Sequence, residues 1–142
     1  MKSNPVVHFE MPAEDRQRMA DFYTKAFGWQ TNILGPEMGG YVTVTTGEND
    51  ERGMAKNPGT INGGFYQKTE DPLSHAPSVV IAVDDIQEAM KKVADAGGKI
   101  VGGSKPGEPD NIPGVGLYIS FKDTEGNRVS LLQPAPMMEV HP

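Results

Sequence analysis

The sequence predicts an α+β fold built from two similar modules, each running strand, helix, then three strands. Three observations predict it. The order of hydrophobic periodicities in the first half of the chain returns in the second half. Glycines close both helical segments at matching places, Gly28 and Gly98. The chain has 142 residues, enough for one domain that buries roughly 70% of its unfolded surface.

The stretch "PVVHFEMP", residues 5–12, reads as the first strand. Alternation sets Val7, Phe9 and Met11 on one face and Val6, His8 and Glu10 on the other. The following "AEDRQRMADFYTKAFGW" has helical spacing, with Met19, Phe22, Tyr23, Ala26 and Phe27 as its apolar stripe. Glu14 and Asp15 are expected in its first turn, where the helix dipole favours acids. Core packing is expected of Phe22, Phe27 and Phe65. "WQTNIL", "GYVTVTT" and "INGGFYQ" read as three short strands.

The second half repeats this order. "SVVIAVD" is a strand, and "DIQEAMKKVADAGG" a helix with Ile86, Ala89, Met90 and Val93 on one stripe. "KIVGG", "GLYISFKD" and "NRVSLLQ" are again three strands. Sliding one half onto the other sets Ser78 over His8 at the same offset that sets Gly98 over Gly28. Matching "GGFYQ" to "VSLLQ" sets Ser130 over Gly64. The whole chain, 1–142, is then one domain: module one over about 5–67, a linker at 68–77, module two over about 78–134 and a tail at 135–142. Two half-covered sheets side by side are expected to curl into a cup around a shared cavity, the default place for a ligand. "TGENDERGMAKNPGT" and "GSKPGEPDNIPGVG" read as loops near its mouth, either lids or plain surface.

Composition narrows the function classes. The net charge of −6, with a pI of about 5.0, disfavours nucleic acid and anionic membranes, since both demand clustered Lys and Arg. The absence of cysteine removes disulfides, thiolate nucleophiles and Cys-based metal sites. No segment approaches the ~18 to 20 apolar residues that span a bilayer, and the opening "MKSNPVV" carries no signal-like apolar run. A cytoplasmic location is expected. No P-loop, dinucleotide-binding glycine fingerprint or nucleophile elbow occurs.

"VVHFEMPAEDRQRMADFYTKAFGW", "VDDIQEAMKKVADAGGKIV" and "GLYISFKDTEGNRVSLLQP" together resemble the glyoxalase, bleomycin-resistance and extradiol-dioxygenase superfamily, the vicinal oxygen chelate proteins. "GTINGGFYQ" resembles a glyoxalase-like branch of it, and the likeness covers residues 5–134. The resemblance implies the glyoxalase/bleomycin-resistance fold, a homodimer, and small-molecule ligands or substrates. It also implies that metal ligands come from the first and last strand of each module. Carried over by position, those slots are His8, Gly64, Ser78 and Ser130. His8 alone is a good divalent-metal ligand; glycine has no side chain and neutral serine binds such ions poorly.

Glu10 shares a strand face with His8 and could reach a cation held there. A third ligand would have to come from Asn62, Tyr66 or Tyr118, none of them strong. His75 and His141 fall in the linker and the tail. The expected state is a cup with no metal cofactor, with Zn, Ni, Fe or Mn as the alternative. His8 is then either a general base toward a ligand, oriented by Glu10, or a hydrogen-bonded strand residue beside a solvated carboxylate. The candidate pocket is His8, Glu10, Asn62, Gly64, Tyr66, Ser78, Tyr118 and Ser130. Trp29, Phe65, Tyr66 and Tyr118 supply aromatic surface. Paired glycines within a strand mark a bulge or a close approach, so Gly63 and Gly64 are expected to widen the cavity. Asp123, Gly126 and Asn127 form a structural turn, and Met137 and Met138 lie in an unanchored tail or against a partner subunit. Two functions follow. One is a small-molecule binding protein of the bleomycin-resistance type. The other is a metal-dependent lyase, isomerase or dioxygenase of the glyoxalase type, using His8 and Glu10.

Overall fold

Strand β1, Val6–Ala13, opens the fold. The structure is a computed structural model that describes residues 2–136; Met137, Met138 and His141 lie outside the described residues. It divides into two compact units, Val7–Val79 and a second that begins at Val80 and takes in the N-terminal residues up to Val6.

In the first unit, β1 is followed by helix α1 (Arg16–Phe27) and strands β2 (Gln30–Ile33), β3 (Val42–Thr45) and β4 (Gly63–Gln67). The sheet order is β2-β3-β4-β1. Strand β4 runs parallel to β1, and the β2–β3 and β3–β4 pairs are antiparallel. Asp15 stands one residue outside the helix as its N-cap, and its carboxylate accepts from the Arg18 N–H at 3.0 Å. The expected place in the first turn is thereby corrected. Gly28 ends α1 with φ 72°, and its N–H reaches the Thr24 carbonyl at 2.9 Å.

Ala20, Val42, Val44 and Phe65 are buried, with Phe9, Met11, Met19, Tyr23 and Trp29 packed against them. The helix therefore buries the Met19–Ala20–Tyr23 face. Phe22 and Phe27 are 57% and 65% exposed, against the expectation of core packing. Phe22 sits about a quarter-turn off the buried face, at ~100° per residue, and Phe27 is the last residue of the helix. Along β1, Phe9, Met11 and Ala13 face the core. His8 and Glu10 point to the opposite face, as the alternation requires. Val7 is exposed, beyond the end of that core.

The second unit holds β5 (Ser78–Ala82, entering from the first unit), α2 (Ile86–Asp95), β6 (Lys99–Val101), β7 (Asp110–Ile112), β8 (Gly116–Lys122) and β9 (Arg128–Pro134). Its order is β5-β9-β8-β6, with β5 and β9 parallel and the β9–β8 and β8–β6 pairs antiparallel. Helix α2 buries Ile86 and Met90, with Ala89 and Val93 beside them, against Val83, Ile119, Phe121 and Leu131. That is the expected stripe. Strand β7 corrects the expected loop over "GSKPGEPDNIPGVG". The seven-residue β8 is longer than β6, so its Gly116–Tyr118 edge is left open and Asp110–Ile112 fills it antiparallel. No helix among the described residues is long and apolar enough to cross a membrane.

Candidate functional site

The chemistry-bearing face of the first unit centres on three side chains. His8 and Glu10 lie two residues apart on β1 and so share a face. Tyr41, just before β3, lies over them. The Tyr41 hydroxyl donates to Glu10 Oε2 at 3.3 Å and lies 3.1 Å from His8 Nε2. A phenol has one proton. With that proton on Glu10, the His8 contact is Nε2–H donating to the Tyr41 oxygen, which leaves the lone pair on Nδ1. Glu10 is 8% exposed and His8 is half-buried. Burial pushes the His8 imidazole below the ordinary histidine value of 6.5, and the Glu10 carboxylate pulls it partly back. His8 is therefore a neutral imidazole at pH 7.

Sequence reasoning missed Tyr41. Its signal was present in "GYVTVTT", where Tyr41 alternates with Val42 and so shares a face with Thr43. What the sequence lacked was the register. Gly64 pairs with Glu10 on one side and with Thr43 on the other. The phenol of Tyr41 crosses that point, and a Cβ built on Gly64 would overlap it. On the other face, the Phe9 ring covers Gly63 in the same way. The glycine pair thus makes room for two aromatic rings of the chain itself. The expectation that Gly64 opens the cavity is corrected.

Most of the other expected site residues bond to neighbouring parts of the chain. The Asn62 amide oxygen accepts from the Thr46 N–H at 3.0 Å, and its nitrogen donates to Asn49 Oδ1 at 2.8 Å, so it clamps the loop after β3. The Tyr66 hydroxyl donates to the Ala76 carbonyl at 3.0 Å. In the second unit, Tyr118 and Ser130 hydroxyls are 2.8 Å apart, and the buried Ser130 and Ser120 Oγ atoms 2.9 Å apart, a short chain of hydroxyls. Ser78 is buried, and its Oγ has no hydrogen-bond partner among the described residues. His75 lies 2.7 Å from the Thr69 carbonyl through Nε2, within the linker. Asp123 accepts from the Asn127 side-chain amide at 3.0 Å and from the backbone N–H groups of Asn127 and Glu125 at 2.9 and 2.8 Å, which holds the turn before β9 and keeps its carboxyl below the usual carboxylate range.

The residues do not fit a three-ligand divalent-metal centre. Among the described residues, no group of three or more His, Cys, Asp or Glu side chains could hold a metal ion. The Gly64 slot is filled by a phenol, and Ser130 Oγ is already bonded to two hydroxyls.

The model of the Glyoxalase/Bleomycin resistance protein/Dioxygenase superfamily matches residues 6–131. DnrV of Streptomyces peucetius, an anthracycline biosynthesis protein, is 26% identical over 124 residues, 83% of this chain and 42% of its own length. CFP32 of Mycobacterium tuberculosis, whose name places it with the glyoxylases, is 37% identical over 70 residues, 47% of this chain and 25% of its own. The chain thus spans under half the length of these relatives. Among solved structures, protein BH1468 of Bacillus halodurans superposes with a TM-score of 0.66 at 14% identity, covering 97% of this chain and 99% of that one. Methylmalonyl-CoA epimerase of Streptomyces coelicolor superposes with a TM-score of 0.63 at 15% identity, covering 95% and 97%. The sequence match, the module order and the sheet topology agree, and the chain belongs to the Glyoxalase/Bleomycin resistance protein/Dioxygenase superfamily.

Proposed function

We propose that this protein binds a small, hydroxyl-bearing organic molecule at the His8–Tyr41–Glu10 face and holds it by hydrogen bonds rather than through a divalent metal. The observation that carries the reading is the Tyr41 hydroxyl, which bridges His8 Nε2 and Glu10 Oε2 where a metal slot would otherwise lie. His8 Nδ1, kept neutral by burial, accepts a proton or a hydrogen bond from a ligand O–H. Glu10, through Tyr41, fixes the tautomer that presents that lone pair. The relatives named for glyoxylase and anthracycline biosynthesis support a ligand rich in carbonyl and hydroxyl oxygens.

The test is a thermal-shift screen of hydroxy-carbonyl compounds in the presence of EDTA, run on the wild type, His8→Ala and Tyr41→Phe. A ligand at 100 times its dissociation constant stabilises by ~2.7 kcal/mol, a clear rise in melting temperature. Shifts that survive EDTA and vanish in His8→Ala support the reading. Shifts that need added metal would overturn it in favour of the metal-dependent alternative.

A further inference from the structure

The first unit carries a second concavity on the opposite face of β1, away from His8 and Glu10. It is an open hollow of about 620 Å³, within the usual range of ligand sites. Phe9 and Met11, which alternate with His8 and Glu10 along the strand, form part of its wall. Trp29, Ile61, Pro77 and Val79 complete the apolar lining, and no lining residue is charged. In a chain with 19 acidic and 13 basic residues, that neutrality is a local property of the hollow.

The Trp29 indole is held in place before any ligand arrives. It stacks on Tyr23 with ring centroids 4.6 Å apart and planes 9° from parallel, and lies 5.8 Å from Phe9. The Thr24 hydroxyl donates to its carbonyl at 2.9 Å. Ile61 and Val79 stand 39% and 37% exposed at the hollow, so their apolar surface is uncovered. Ser78, also in the lining, is more than nine-tenths buried, and its hydroxyl has no partner among the described residues.

We propose that this hollow is a second ligand site, for a flat, uncharged aromatic molecule. The rigid indole offers a stacking surface at little entropic cost. The uncharged wall rejects ions, which would lose their hydration without gaining a partner. The site stands apart from the His8 face and does not depend on it.

Trp29 is the sole tryptophan, so its fluorescence reports this hollow alone. The probe is 2-naphthol, neutral at pH 7, with 2-naphthalenesulfonate as the charged control. The expected result is saturable quenching by one 2-naphthol per chain, at least tenfold weaker binding of the sulfonate, and no change in His8→Ala. Ile61→Asp and Val79→Lys each place a charge at an exposed position of the lining. Each is expected to weaken binding at least tenfold while retaining the native far-UV circular dichroism; two variants guard against one failing to fold. Non-saturating quenching, equal binding of the sulfonate, or binding untouched in a folded Ile61→Asp or Val79→Lys would overturn the proposal. So would a wild-type dimer that binds no 2-naphthol and dissociates in Ile61→Asp, since a second copy would then be the occupant. Loss of 2-naphthol binding in His8→Ala would overturn the separateness of the two sites without touching the hydrogen-bonding role of His8.

Discussion

At Gly64 one missing side chain decides what its surroundings can do. The neighbouring strands bring Glu10 and Thr43 to its flanks, and the Tyr41 phenol lies across the gap. Gly64→Ala forces a methyl group into the ring. It is expected to cost ~1–3 kcal/mol in chemical denaturation, the usual penalty for overpacking. Tyr41→Ala removes the ring, so the double variant is expected to fall short of the sum of the two losses; strictly additive losses would contradict the contact. His8 gives a second prediction. Its folded pKa lies below the unfolded value of 6.5, so the unfolded chain binds more protons between the two. Stability is therefore lost as pH falls below about 6.5 and levels off below the folded pKa. In His8→Gln that component of the pH slope disappears, and identical slopes for the two proteins between pH 7 and 5 would contradict it.

Among the elements, α1 and α2 show what a hydrophobic pattern reveals and what it hides. The α2 stripe of Ile86, Ala89, Met90 and Val93 was legible because every large apolar residue of the helix lies on one face. The α1 pattern was ambiguous. Phe22 and Phe27 widen its apolar arc, and the small Ala20, which is the residue that is buried, gives a weak signal. Burial depends on where the sheet lies under the helix, and periodicity alone does not supply that. Ile86→Ala is thus expected to cost ~2–5 kcal/mol, whereas Phe27→Ala is expected to stay within about 0.5 kcal/mol of the wild type. A large loss in Phe27→Ala would mean that the face is covered in solution. Strand β7 was hidden for a related reason. Its "DNI" core is three residues between prolines, and only the open edge of β8 gives it a partner.

For the whole molecule, module order, the glycine that ends α1 and the parity of β1 were readable from periodicity and glycine placement, because they are local properties. The candidate site was readable only in part. His8 and Glu10 followed from alternation along one strand, but Tyr41 is 31 residues from Glu10, and its arrival depends on pairing register. That arrival reverses the meaning of Gly64, from an opened cavity to a filled one. The superfamily often uses a divalent metal, yet at this face the described residues bring together one histidine and one carboxylate under a shared phenol. The most direct test is calorimetric titration of the chelator-stripped protein with Zn, Ni, Co, Mn and Fe(II), alongside elemental analysis of protein purified without chelators. A hydrogen-bonding site predicts substoichiometric metal on purification and weak titrations that are the same in the wild type, His8→Ala and Glu10→Gln. One equivalent of tightly held metal, lost in both variants, would contradict it.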